Sequence, residues 1–194
     1  MSISLVVGLG NPGRDYAHTR HNLGWFVLEA LAKKHGLSWK PQPAFDAEIA
    51  RWDFAPGRML WLAKPLTFMN DSGTSVAALA RFYKLTPASV AVVYDDINID
   101  LGLVKVSVTG SAGGHNGVAS VLEHLGDGFA RYRLGIGPKQ PPQMDLKDFV
   151  LGKFTPDQLT LIDQKITHHL QGLELLLTHG SDHAMNQLNR RDPS

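Results

Sequence analysis

The sequence predicts an α/β fold: a single three-layer α/β/α domain with a mixed, mostly parallel central sheet, spanning residues 1–194. Three observations predict it. Short β-branched runs alternate with amphipathic helical segments from one end of the chain to the other. A hairpin, Ala47 to Phe54 and Arg58 to Ala63 joined by Ala55-Pro56-Gly57, introduces antiparallel pairing into that series. At 194 residues with 43% hydrophobic content, the chain can build one sizeable core and is short for two.

Taken in order, Ile3 to Val7 closed by Gly8 reads as a buried strand. An irregular loop follows, and from Asn22 to about His35 the apolar residues Leu23, Phe26, Val27, Ala30 and Leu31 recur at helical spacing, with Gly36 placed to end the helix. After the hairpin, Asp71 and Ser72 offer caps for a helix carrying Val76, Leu79, Ala80, Phe82 and Tyr83. Val90–Tyr94, Val104–Val108 and Tyr132–Ile136 are further strands, and a helix over Asn116–Leu125 separates the last two. Pro141-Pro142 marks a loop. Thr155-Pro156-Asp157-Gln158 combines an N-cap threonine, proline at the first helical position and glutamine at the capping-box position, so a long helix starts there and Gly180 ends it. A short helix is expected in the tail, 181–194.

Composition removes several chemistries. Cysteine is absent, which excludes disulfides, thiol nucleophiles and thiolate metal sites and suits a cytoplasmic protein. The formal net charge is +1, so any site for a polyanion must come from local clustering. No basic, apolar export signal opens the chain and nowhere do about 18 apolar residues run together, so no membrane partner is expected.

The first loop, Gly8-Leu9-Gly10-Asn11-Pro12-Gly13, formally satisfies a dinucleotide-binding pattern, yet Pro12 and further loop residues precede any helix. The acid expected roughly 20 residues on is Glu29, inside a helical pattern. A dinucleotide-dependent oxidoreductase is therefore the weaker alternative, and a turn of glycines the plain one. The loop ends Thr19-Arg20-His21-Asn22, which places an imidazole at a helix N-terminus, where the dipole opposes the imidazolium and favours a neutral, proton-accepting ring. A lone histidine there is more often a cap. Asp95-Asp96, after the strand Val90–Tyr94, brings a carboxylate to the same sheet edge, the arrangement that orients a histidine base; a turn or a magnesium site are the other readings, and no Walker motif accompanies them. Asn11, Asn70 and Asn116 occupy comparable loop-to-helix positions, where an amide can bind substrate or a developing oxyanion or simply cap a turn. The glycine-rich Gly110–Gly117 loop could meet an anion with its backbone N–H groups. No G-x-S-x-G elbow exists, so water is the expected nucleophile. Metal ligation by His18 with His21, or His179 with His183, lacks a third ligand, and no metal or other cofactor is expected.

These blocks together resemble the bacterial peptidyl-tRNA hydrolase family: Gly8–Gly13, Tyr16, Thr19–Asn22, Lys64-Pro65, Thr67–Gly73, Tyr94–Asp96, Gly110–Gly117, Arg133–Gly137 and Val150–Phe154 stand in the family's order. The resemblance implies hydrolysis of the ester joining a peptide to the 3′ ribose of tRNA by a monomeric, metal-free enzyme. It implies that His21 activates water, that Asp95 orients it, and that Asn11, Asn70 and Asn116 position substrate, with Tyr16, Phe68 and Met69 as walls around peptide and terminal nucleotide. Lys105 and Arg133 match positions near tRNA phosphates. Two departures stand out: Tyr94 replaces a histidine of many relatives and Ser107 a basic residue of some, so the phosphate clamp would be weaker or completed by Lys139, Lys147 or Lys153. The second reading in this frame is an RNA-binding module of the same fold without turnover.

Overall fold

The structure, a computed structural model, describes residues 2–190. Its strands are β1 (Leu5–Gly8), β2 (Lys40–Gln42), β3 (Ala47–Ala55), β4 (Arg58–Pro65), β5 (Val90–Asp100), β6 (Val104–Ser107) and β7 (Ala130–Gly137). Its helices are α1 (Leu23–Lys34), α2 (Ser72–Phe82), α3 (Asn116–Leu125), α4 (Leu146–Leu151) and α5 (Pro156–Leu188).

One sheet in the order β2-β3-β4-β1-β5-β7-β6 forms the middle layer. Alternation decides the layers, since successive side chains of a strand point to opposite faces. Val6 joins the core under α1 and α5, whereas Leu5 and Val7 join the one under α2 and α3. The four central strands β4, β1, β5 and β7 are mutually parallel. The edges are not: β2–β3, β3–β4 and β6–β7 pair antiparallel. The sheet is thus mixed and mostly parallel as expected, with its parallel pairs at the centre, its antiparallel pairs at the edges, and only β3 and β6 running against the other strands. The tight connections Pro56-Gly57 and Leu101–Leu103 reverse the chain, and a parallel neighbour needs a long crossover.

Three elements exceed the sequence pattern. Strand β2 contains Pro41 and is three residues long, held by its pairing with β3. Helix α4 lies just past the expected Pro141-Pro142 loop, and Asp145 caps it by accepting the N–H of Lys147 at 2.8 Å. Strand β5 continues through Asp95 and Asp96 to Asp100, with a shift of register against β7 between Asp96 and Asp100. The capping box of α5 is present as expected, and Gly180 (φ 82°) interrupts the helix before a last stretch to Leu188. That stretch leads to Asn189, whose side chain pairs with the outer edge of β6, accepting the N–H of Val106 and donating to its carbonyl, both at 2.8 Å. Residues 191–194 of the expected tail lie outside the described residues.

Candidate active site

Helix α1 enters the sheet at its crossover point. A Cβ on Gly24 would stand 2.3 Å from the carbonyl oxygen of Val93 and 2.8 Å from that of Leu9, so only glycine lets the first turn of α1 press between the ends of β1 and β5. The turn Arg20–Asn22 just before α1 is thereby set against Asp95 of β5.

The carboxamide of Asn22 behaves like a strand neighbour for the first loop. Its oxygen accepts the Asn11 N–H at 2.9 Å and its amide donates to the Asn11 carbonyl at 2.9 Å. The side chain of Asn11 is locked in turn, because its oxygen accepts the N–H of Met69 at 2.7 Å. The Asn11 NH₂ is left as a pair of donors at the edge of a cleft of about 610 Å³.

On the floor of that cleft His21 Nδ1 lies 3.0 and 2.9 Å from the two oxygens of Asp95, with the residues 7% and 2% exposed. A carboxylate can only accept, so Nδ1 carries the proton and Nε2 keeps its lone pair. Among the described residues no protein group bonds to Nε2. The second oxygen-sharing partner of Asp95 is His115, whose Nε2 donates to Oδ1 at 3.0 Å while its Nδ1 accepts the N–H of Val118 at 3.3 Å. The two rings lie 4.6 Å apart. Burial by itself would raise the Asp95 carboxyl, but electrostatic attraction to the N–H groups of His21 and His115, and the hydrogen bonds they donate, hold it well below the usual carboxylate range.

His115 is the functional residue that sequence reasoning passed over. Its motif, Gly113-Gly114-His115-Asn116-Gly117, drew attention to the asparagine, although the His-Asn pair repeats His21-Asn22. The N-cap position explains the rest: the ring caps α3 with one nitrogen and reaches Asp95 with the other.

All eight residues expected at the reaction line this cleft: His21, Asp95, Asn11, Tyr16, Phe68, Met69, Asn70 and Asn116. Their states differ. Tyr16 meets Phe68 edge-on at 6.3 Å, and Phe68 is 57% exposed at the mouth. Met69 is buried, and Asn70 and Asn116 are exposed. On the opposite wall, Asp145 to Leu151 around α4, the sequence singled out Lys147, Val150 and Leu151 but not Asp145 or Leu146. Lys105 and Arg133 do not line the cleft; they face each other in register on β6 and β7 beside it. Arg133 is partly neutralised, since Nε donates to Asp96 at 2.9 Å. Lys147 lines the cleft, while Lys139 and Lys153 do not. Tyr94 is buried, with its ring edge-on to His115 at 5.1 Å, and burial pushes its phenol up.

One metal-ligating set gathers among the described residues: His21, Asp95 and His115, with ligand atoms within 4.8 Å of one another. Its contacts of 2.9 and 3.0 Å are hydrogen-bond distances, and His115 cannot offer Nε2 to a cation while Nδ1 accepts from Val118. These groups fit a proton better than an ion. His18, His179 and His183 join no such set.

Comparison with known proteins agrees with this geometry. The family model described as "Peptidyl-tRNA hydrolase" matches residues 5–194. Proteins of that name from Symbiobacterium thermophilum and Gloeobacter violaceus are 44% and 41% identical, over 95% and 98% of this chain and 98% and 96% of theirs. The crystal structure of peptidyl-tRNA hydrolase from Acinetobacter baumannii superposes with a TM-score of 0.89 at 38% identity, covering 99% of this chain and 97% of that one.

Proposed function

This chain belongs to the peptidyl-tRNA hydrolase family and hydrolyses peptidyl-tRNA, and on that premise we propose that His21 is its general base, Asp95 the acid that orients it, and Asn11 the oxyanion donor. One observation carries the assignment: the buried His21–Asp95 hydrogen bond at 2.9 Å, which leaves Nε2 open to the cleft.

Nε2 removes a proton from a water as the water attacks the ester carbonyl. The carbonyl oxygen becomes an oxyanion and takes a hydrogen bond from the Asn11 NH₂, which costs nothing to orient because its own oxygen is already held by Met69. When the tetrahedral intermediate collapses, the imidazolium returns the proton to the departing 3′ oxygen of the ribose, giving free tRNA and a peptide carboxylic acid, which then loses its proton to solvent. Asp95, accepting from Nδ1, stabilises the imidazolium between these two transfers. Asn70 and Asn116, both exposed at the cleft, contact the substrate's polar groups, and Tyr16, Phe68 and Met69 supply apolar wall. Lys105 and Arg133 contact tRNA phosphates beside the cleft.

Every group named comes from one chain, which supports a monomeric, single-domain enzyme. No helix among the described residues is long and apolar enough to cross a membrane, and action on peptidyl-tRNA supports the reading of a cytoplasmic enzyme. The test is His21→Ala with N-blocked aminoacyl-tRNA as substrate: turnover falls by about 10²–10⁴-fold while tRNA affinity stays near wild type. Near-normal hydrolysis by that variant rejects the base assignment; a loss of binding equal to the loss of rate rejects a purely chemical role.

A further inference from the structure

The reaction above uses His21 of the Thr19-Arg20-His21-Asn22 motif and leaves Arg20 beside it without a role. Arg20 is 8% exposed, an unusual place for a guanidinium that has no carboxylate against it among the described residues. It leans over the ring of Phe149 at 4.4 Å, with Phe154 at 5.5 Å. One terminal nitrogen donates to the Phe149 carbonyl at 3.2 Å and the other to Gln158 Oε1 at 3.1 Å. Gly152 leaves room for it: a Cβ there would stand 2.7 Å from Nη1 of Arg20. The backbone repeats the tie, with the Arg20 N–H donating to the Gly152 carbonyl at 3.0 Å and Thr19 bridging Lys153.

The turn that carries His21 is short of internal support. It is three residues long, and neither Thr19 before it nor Asn22 before α1 makes a side-chain cap hydrogen bond. Asn22 spends its amide on Asn11 instead. The catalytic imidazole therefore sits between two anchors pointing opposite ways, Asn22 into the first loop and Arg20 into the end of α4 and the start of α5. If filling space were all that mattered, an apolar side chain would do it without the cost of desolvating a charge. A guanidinium fork adds two directed bonds to two different elements.

We propose that Arg20 is a positioning residue for the general base: its guanidinium, fastened to the Phe149 carbonyl and to Gln158, fixes the turn that aims His21 at Asp95. The inference rests on His21 being the base. Gln158 is the hub of this arrangement, since its Oε1 also accepts the Thr155 N–H at 2.9 Å in the α5 capping box. Anchoring of His21 and initiation of α5 thus share one acceptor.

The experiment compares Arg20→Met, which keeps an unbranched stem between the two rings and removes the fork, with the full-length wild-type protein. Two readouts are taken: steady-state kinetics on N-blocked aminoacyl-tRNA, and the downfield NMR resonance of the His21 Nδ1 proton, identified by its loss in His21→Ala. The expected result is a fall in kcat of about 10- to 10²-fold, a KM within about threefold of wild type because Arg20 lines no part of the cleft, and a lost or broadened resonance. A normal resonance and kcat accompanied only by a lower melting temperature would overturn the proposal. Should Arg20→Met fail to fold, Gln158→Met removes one acceptor and Thr155→Ala removes the other half of the cap without touching Arg20. The expected result is then a perturbed resonance and reduced kcat in Gln158→Met alone; identical behaviour of the two variants overturns the proposal as well. If His21→Ala retains turnover, the base assignment falls, and the resonance still reports whether Arg20 orients the ring.

Discussion

Among the described residues Asn11 has a hydrogen-bond partner on each of its polar groups except the NH₂, the Asn22 carboxamide on its backbone N–H and carbonyl and the Met69 N–H on its side-chain oxygen, and the free NH₂ defines what the residue can do. Asn11→Asp keeps an oxygen for the Met69 N–H and replaces the donor by an acceptor of nearly the same shape. Its kcat should fall by about 10²–10³-fold, with little change in melting temperature; steady-state kinetics beside calorimetry checks both, and a wild-type kcat removes Asn11 from the oxyanion position. The donor role of Asn11 became visible only through the Met69 contact, 58 residues away in sequence. His21 and Asp95 were readable because a histidine after the first strand–loop and an acid at the end of a buried strand meet at one sheet edge in this topology. His115 was not readable. Nothing local to Gly113–Gly117 says that its ring will reach a carboxylate 20 residues earlier.

At the level of elements, α5 carries a burden that its amphipathic pattern conceals. His169 is 1% exposed, its Nδ1 lacks a partner, and burial first, then the charges of His168 and Lys165, push it down to about 4. The neutral ring is the folded form, so below an unfolded value near 6.5 the unfolded chain takes up the proton first and stability declines as pH falls from about 6.5 towards 4. The decline approaches about 3 kcal/mol. His169→Leu should flatten the melting temperature over that interval, leaving the Tyr132 hydroxyl its backbone acceptor; an unchanged acid slope shows that another group governs it. The long helices and central strands were legible from periodicity and caps, Thr155 with Gln158 above all. Strand β2 and helix α4 were not, because three residues with a proline and six residues after a proline-rich loop have too little pattern of their own and exist through their neighbours. The extension of β5 past Tyr94 went unread for the same reason: Asp95, Asp96, Asn98 and Asp100 disfavour strands in isolation.

For the whole molecule, the formal charge of +1 gives a polyanion no general attraction. Binding tRNA then depends on where positive groups sit. Lys105 is exposed opposite Arg133, and Arg133 shares its charge with Asp96. Lys105 is accordingly expected to carry more of the phosphate contact than a sequence count of basic residues suggests. Lys105→Ala should weaken tRNA binding uniformly across sequences and reduce the slope of log K against log salt by about one, with little effect on a minimal ester substrate. A slope equal to wild type takes Lys105 out of the footprint. The fold class and the mostly parallel sheet were legible at this scale, whereas the direction of β6 was not, since it depends on the short connection Leu101–Leu103 at the sheet's edge.

One of those edges has a consequence for the protein in bulk. A bare β margin recruits other chains, and the outer side of β6 is a short one. At Val106 a carboxamide from the last described turn imitates the missing neighbour, satisfying both backbone groups at once. Asn189→Ala would reopen that margin, and concentrated solutions of the variant should scatter light and self-associate long before turnover suffers. The Asn189 carboxamide thus blocks this stretch of margin, and its loss is expected to let separate molecules pair there.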